Sequence, residues 1–275
     1  MIEDMIMKTE IVAILLIYLF FILLEVFFTS FFRKNNQKFS DGLVEVISAG
    51  GLLLVTQPLV LTSAYLIGQL YLPSFENSLK GISPLIAFSL FLIFDDLTQY
   101  WWHRLSHSVK WLYKLHRPHH NAEYMSIRLV YRNNVFYYFL MPNLWLSGLL
   151  IYLGLGWVYA VYIVMKMTII FGAHSDLPWD KPLYKVKGLS KIMWVIERTI
   201  STPATHHAHH GKYKADGITH YKGNFGNMLF IWDVIFGTAK IERRYPADFG
   251  VEDLPKTSIL EQLIWPIVSN GPLPK

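Results

Sequence analysis

Cysteine is absent from this 275-residue chain. That absence excludes a disulfide framework, thiolate zinc sites, a cysteine nucleophile and Cys-ligated iron–sulfur clusters together. Any metal chemistry must therefore use His and carboxylates. Charge is also scarce, at 16% of residues against 53% hydrophobic, a balance unusual for a water-soluble protein. The net charge of +5 is modest and is not gathered in a long basic arm, so nucleic-acid binding is not expected. The basic residues lie beside apolar runs and read as positive-inside anchors. Neither an internal repeat nor a low-complexity tract is present.

What the chain has is apolar length, aromatics and histidine. Nine Trp, sixteen Tyr and eighteen Phe suit the two interfacial belts of a membrane protein, although aromatics also fill ordinary cores. Ile11 to Phe28 is apolar apart from Glu25 and is long enough to cross a hydrocarbon core of about 30 Å. It is too long for a simple signal peptide and lacks the small-residue cleavage site. Glu3, Asp4 and Glu10 precede or open it, and Arg33, Lys34 and Lys38 follow, which predicts an outer N-terminus and a cytoplasmic loop.

A second span fits between about Leu43 and Leu72, with Gly50, Gly51 and Pro58 as packing points or kinks. A third run, from about Pro84 to Phe94, re-enters and continues into DDLTQYWWHRLSH on the cytoplasmic side. Phe136 to Phe171 reads as a helical hairpin that goes out and comes back, returning His174 to the same face. The expected fold class is all-α: a multi-span transmembrane helical bundle of about four to five apolar helices with a cytoplasmic histidine-bearing cap. The expected segments are N-terminal transmembrane helices over 1–94, a histidine-bearing domain over 95–240 containing a hairpin at about 136–172, and a C-terminal tail over 241–275.

Nine of the eleven histidines fall into three tight groups. His103 and His107 stand at i, i+4 without an intervening Gly or Pro, which puts both rings on one helix face. Asp96 and Gln99 precede His103 along that face as candidates to orient a ligand ring. One such pair alone is equally compatible with a surface helix. His116, His119 and His120 follow, and Pro118 predicts that one helix ends near His116 and another starts at the proline. In the third group Thr202 and Pro203 form a helix start and Gly211 a stop, so His206, His209 and His210 share a face while His207 points about 100° away. Eight or more ligands exceed what one tetrahedral ion needs, so two metals are implied. Imidazole suits Zn, Cu, Fe or Ni, and the residues alone do not choose among them.

In this region the chain resembles the fatty acid hydroxylase superfamily, which includes sterol desaturases, sterol C4-methyl oxidases and alkylglycerol monooxygenases. DDLTQYWWHRLSH and HRPHH look like the first two histidine boxes, GAHSDLPW resembles the isolated histidine, and TPATHHAHH matches the third box. GNFG (Gly223 to Gly226) and IWDVIFGT (Ile231 to Thr238) resemble the closing signatures. His207 departs from the pattern as an extra histidine, and His220 has no assigned role.

The resemblance implies two irons, O2 as co-substrate and hydroxylation or desaturation of a lipid C–H bond. Electrons would come from a separate protein or a reduced cofactor, and zinc can replace iron on overexpression. It implies His103, His107, His116, His119, His120, His174, His206, His209 and His210 as metal ligands, with Asp96 or Asp233 accepting from their rings. Arg128 and Arg132 are candidate contacts for a lipid phosphate, equally readable as membrane anchors. The bilayer is the other expected partner, in the bacterial cytoplasmic membrane or, in a eukaryote, the endoplasmic reticulum. Two rival classes remain. A membrane zinc hydrolase would need a carboxylate base, for which Glu123 is the Glu close to a box; a metal transporter or sensor would carry its ligands along the spans.

Overall fold

Long apolar runs without strand-like alternation fold as helices, and the described residues contain no β-strand, only two isolated bridges. The computed structural model describes residues 2–32, 37–254 and 257–269, with side chains from Glu10 onward. Arg33 and Lys34, expected as anchors, lie outside the described residues, as do the side chains of Glu3 and Asp4.

The first helix, α1, is Ile2–Phe28. Next, α2 (Phe39–Gly51) passes through a π-helical turn at Leu52–Thr56 into α3 (Gln57–Tyr71) as one helical run. A loop leads to α4 (Pro84–Phe91), a second π turn at Leu92–Leu97 and α5 (Thr98–Ser108). Then come α6 (Lys110–His120), the short α7 (Val135–Phe139), α8 (Pro142–Leu150) and α9 (Gly156–His174). The remaining helices are α10 (Asp180–Lys185), α11 (Leu189–Thr199), α12 (Pro203–His210), α13 (Ile231–Ile235) and α14 (Ile259–Ile264). Pro84, Pro142 and Pro203 each occupy a first helical position, where the missing N–H removes no helical bond.

Among the described residues, three helical stretches are long and apolar enough to cross a membrane: Glu10–Phe28, Phe39–Tyr71 and Pro142–His174. Much of their surface is large exposed apolar side chains, among them Leu16, Phe20, Leu54 and Val161, which in water would be an aggregation surface and in lipid is solvated. The third stretch is folded back on itself. Gly154 sits at φ 96°, a left-handed conformation that glycine adopts without a Cβ penalty, and it ends α8 and reverses the chain into α9. Asp95 shows the result: its carboxylate accepts from Ser147 and Asn143 on one arm and from Tyr162 and Lys166 on the other. Residues at similar distances from Gly154 on the two arms therefore lie at the same depth.

Packing then fixes which ends meet. Helix α1 packs along α9, and α3 along α8. Glu25, the lone carboxylate in the first apolar run, is fully buried and accepts from Ser126 Oγ (2.7 Å), the Ile127 amide (3.0 Å) and the Asp176 amide (3.0 Å). It ties the end of α1 to the loop after α6 and to the chain just past His174. Contrary to the expected break, α6 runs unbroken through Pro118. Proline loses one bond in the last turn, while the Leu115 carbonyl accepts from the Asn134 amide (3.0 Å) and Asn121 N–H closes onto the Arg117 carbonyl (2.9 Å).

The Gly154 turn is crowded as well as left-handed: a Cβ there would lie 3.1 Å from Asn77 Cα and from Lys80 Cβ. Gly154→Ala is expected to cost about 1–2 kcal/mol and to lower the thermal unfolding midpoint in detergent. An unchanged midpoint would mean the hairpin does not depend on this turn.

Candidate metal centre

Four helices deliver nine imidazoles to one end of the bundle. On α5, His103 and His107 come from successive turns. On α6 the i, i+4 pair His116 and His120 shares a face, and His119 is displaced from it. Helix α12 repeats the pattern with His206 and His210 as the pair and His209 displaced, and α9 ends on His174. The result is two groups whose ring nitrogens lie within 4.8 Å of one another in each group. One holds His103, His107, His116, His120 and His209; the other holds His119, His174, His206 and His210. Each HxxHH box thus gives two ligands to one group and one to the other, so the boxes bind the groups into a single unit.

Hydrogen bonding fixes how the rings point. His103 Nδ1–H donates to the Phe225 carbonyl (2.7 Å), His119 to Leu129 (2.9 Å), His174 to Ile170 (2.9 Å) and His209 to Gly223 (2.7 Å). His116 Nδ1–H donates to Asn133 Oδ1 (2.8 Å), an oxygen oriented by the amide's other end donating to Tyr138. These oxygens only accept, so each Nδ1 carries the proton and each Nε2 is left as a bare lone pair. Yet the Nε2 atoms face one another: His206 to His174 at 2.9 Å, His209 to His103 at 3.1 Å, His116 to His120 at 3.2 Å and His174 to His119 at 3.4 Å. His107 Nε2 and His210 Nε2 are buried without a protein partner. In the His209–His103 and His174–His119 contacts, where both tautomers are fixed, lone pair meets lone pair and is repulsive, and an unpaired buried acceptor costs about 1–3 kcal/mol. A cation in each group removes both penalties, so these residues fit two metal ions.

Burial keeps the rings neutral, as ligation requires. His103 is pushed down to about 4 by desolvation. Desolvation, reinforced by neighbouring histidines, also holds His107, His116, His119, His120, His206, His209 and His210 well below the usual imidazole value.

The other two histidines show the opposite hydrogen-bond pattern. His207 uses Nε2 to donate to the Ser175 carbonyl (2.9 Å) and stands edge-on to Tyr245 and Phe249. His220 uses Nε2 toward the Thr238 carbonyl (3.2 Å). Neither joins a metal group.

The carboxylates expected at the rings do not touch them. Asp96 accepts from Trp232 Nε1 (2.8 Å) and the Leu229 amide (3.3 Å). Asp233 accepts from the Phe225 amide (2.8 Å), the Gly226 amide (2.6 Å) and Thr238 Oγ1 (2.6 Å). Both act one step back, holding the loop whose Phe225 and Gly223 carbonyls orient His103 and His209. Gly223 itself is a close-approach position, since a Cβ would lie 2.0 Å from His220 Nε2 and 2.4 Å from the Thr238 carbonyl. Asp180, which the sequence did not single out, accepts from the Ala204 amide (2.9 Å) at the start of α12 and from Tyr184 and Tyr245.

Arg128 and Arg132 are committed inside the protein. Arg132 is fully buried, paired with Asp41 (2.9 Å) and bonded to Gln262 (3.2 Å). Arg128 pairs with Glu45 (3.7 Å) and lies over the rings of Phe31 and Tyr124. The segment after 241 is likewise engaged. The Gly250 amide donates to the His210 carbonyl (3.2 Å), and Arg117 pairs with Glu261 (3.4 Å).

Among the described residues, cavities reach the rings in two places. One, of about 150 Å³, is lined by His116, His119 and His174 and extends among the apolar helices past Leu53, Ile163 and Met167. The other, of about 260 Å³, touches His107 and His120 and is lined by Tyr113, Lys212, Tyr221 and Lys222. Gln99 lies on the wall of the first.

A helical bundle with two all-imidazole groups at its end defines a class, and comparison with known families agrees. The fatty acid hydroxylase family profile matches residues 88–238, and the chain belongs to that family. Alkylglycerol monooxygenase of Homo sapiens is 27% identical over 215 residues, 76% of this chain and 43% of the relative. The protein of that name from Danio rerio is 31% identical over 147 residues, 52% of this chain and 28% of the relative. That from Xenopus tropicalis is 28% identical over 146 residues, again 52% and 28%. The chain thus spans less than half the length of these curated relatives. No solved structure matches.

His119→Ala is expected to remove about one metal ion per chain, whereas His207→Ala is expected to leave the content near two. Elemental analysis of detergent-purified protein distinguishes them, and equal losses in both would refute the tautomer-based assignment.

Proposed function

We propose that the chain is a multi-pass membrane di-iron oxygenase that uses O2 to hydroxylate or desaturate a C–H bond of a lipid, of fatty acyl, sterol or alkylglycerol type. The observation that carries this reading is the pair of all-histidine groups opening together on one apolar cavity among the helices. Family membership and the relatives' printed activity support it. Irons bound there would supply the O2 chemistry that no side chain can perform. The chain's own residues do the rest. The Nδ1 hydrogen bonds hold neutral rings in place, and Leu53, Ile163 and Met167 receive a hydrocarbon chain and keep water from it.

Reducing equivalents would arrive by the other cavity. The cavity at His107 and His120 is bordered by Lys222, by Lys212 paired with Glu123 and by Glu252, a charged lining that suits a water-soluble reduced cofactor or an electron-transfer protein. With the basic loop after α1 inside, the histidines would lie on the cytoplasmic side, in a bacterial cytoplasmic membrane or in endoplasmic reticulum.

The two rivals fare worse. A zinc hydrolase needs a carboxylate base, but neither ligand group contains one among the described residues, and Glu123 is paired with Lys212 (2.9 Å). A transporter would carry ligands along its spans, whereas these gather at the helix ends.

Metal analysis combined with oxygen uptake tests the proposal. The expected outcome is about two irons per chain and O2 consumption that requires both a reductant and a lipid. Lipid extracts of cells carrying the gene should gain a hydroxyl or a double bond absent from cells without it. About two zinc ions with lipid turnover independent of O2 would overturn the oxygenase reading.

A further inference from the structure

The membrane-side cavity is not uniformly apolar. Asp95 and Lys166, 2% and 4% exposed, form an ion pair on its wall, and Asn143, Gln99 and Tyr159 line it beside them. Charges buried between transmembrane helices are costly and seldom idle. Lys166 neutralises Asp95, whose carboxylate is further satisfied by Ser147 Oγ (2.7 Å), Tyr162 Oη (2.9 Å) and Asn143 Nδ2 (3.4 Å).

That arrangement determines which end of Asn143 is free. A carboxylate only accepts, so the amide nitrogen must face Asp95 and the oxygen must point away. Asn143 Oδ1 is buried with no protein partner, and so is Gln99 Oε1. Asn143 is only 2% exposed. The wall thus carries two unpaired acceptors. It also carries an ammonium with three N–H donors, of which the Asp95 contact uses one. Gln99 lies one helical turn, about 6 Å, before His103, and Asp95 two turns, about 12 Å, before it.

From these residues, the geometry points to a polar subsite inside the cavity, formed by Asn143, Gln99 and Lys166, that binds a hydroxyl group of the lipid. A hydroxyl is the small neutral group that can donate to an amide oxygen and accept from an ammonium at once. A hydrocarbon would leave both oxygens unpaired, whereas each hydroxyl, with its single hydrogen, pairs one of them. A carboxylate would meet them lone pair to lone pair, beside a lysine already neutralised by Asp95. The inference rests on the lipid-oxidising reading but concerns binding alone. It makes Asn143 and Gln99 selectors of hydroxylated lipids over plain acyl chains and free fatty acids.

The test is equilibrium binding to the metal-loaded protein in detergent under anaerobic conditions, where no turnover occurs. A radiolabelled long-chain monoalkylglycerol is compared with the same lipid methylated on both hydroxyls and with a fatty acid of equal length. The wild-type chain is expected to bind the hydroxylated form about ten- to a hundredfold more tightly than either. The isosteric Asn143→Leu should bring that ratio to within a few-fold of one by weakening the hydroxylated lipid alone. Gln99→Met should lower it less. Equal binding of the three lipids by wild type, tightest binding of the fatty acid, or an unchanged ratio in a folded Asn143→Leu protein refutes the subsite. If Asn143→Leu does not fold, an unchanged ratio in Gln99→Met refutes it. Absence of O2-dependent turnover would instead defeat the oxygenase reading, and this ratio would be unaffected by it.

Discussion

A hydrogen bond from a histidine Nδ1 to an oxygen that can only accept is the constraint on which the rest of this structure depends. It sets which nitrogen keeps a lone pair, and it is made by His103, His116, His119, His174 and His209. Four of the five acceptors are backbone carbonyls. Ring orientation is therefore coupled to the course of the main chain, and elements that never approach the rings become necessary to them. Asp233 fixes the Phe225 amide, the Phe225 carbonyl fixes His103, and Trp232 is fixed in turn by Asp96. Rotating one carbonyl would expose Nδ1 and Nε2 to exchange roles, as His207 and His220 illustrate.

The same coupling links the membrane-like helices to the centre. Helix α9 carries His174 on its last residue, and its position is set by the Gly154 turn, by Asp95 between the hairpin arms and by Glu25 on α1. Glu25 and the Asn143, Ser147, Tyr162 and Lys166 cluster in the apolar stretches are hydrogen-bonded to segments distant in sequence. In a medium without water, a carboxylate with three or four protein donors holds helices in register, because slipping would strand it.

Much of this was legible in the chain. Histidine spacing placed His103 with His107 on one helix face, whereas His174 came only from the resemblance, and the expectation that His206, His209 and His210 share a face missed that His209 crosses to the other group. The apolar hairpin and its Gly-containing turn were also readable. Carbonyl acceptors were not, because every residue has one and no side-chain signal marks the carbonyls of Leu129 or Gly223. Asp96 and Asp233 therefore looked like direct partners when they are supports. Arg128 and Arg132 looked available because their partners, Glu45, Asp41 and Gln262, lie far away in sequence. Pro118 suggested a helix break, but near the end of α6 it removes only the bond to the Lys114 carbonyl, and the helix still closes through Asn121 N–H to the Arg117 carbonyl. The residues after 241 carry no motif, and their engagement shows only in contacts such as Arg117 with Glu261.

The division of ligands explains why two HxxHH boxes are needed instead of two further i, i+4 pairs. A pair alone serves a single cation, and two centres built from pairs would be independent bodies able to drift apart. In an HxxHH box the middle histidine is offset by about 60° from the first and about 100° from the last, enough to reach the second group from the same rigid helix. His119 on α6 and His209 on α12 each cross in this way, in opposite directions. Two such crossings tie the separation of the two groups to the positions of α6 and α12. His116 and His119 line one cavity, which runs among the apolar helices, and His107 and His120 line a separate one bordered by Lys212, Lys222 and Glu252. The two ends of the histidine cluster thus meet different surroundings, one largely apolar and one charged.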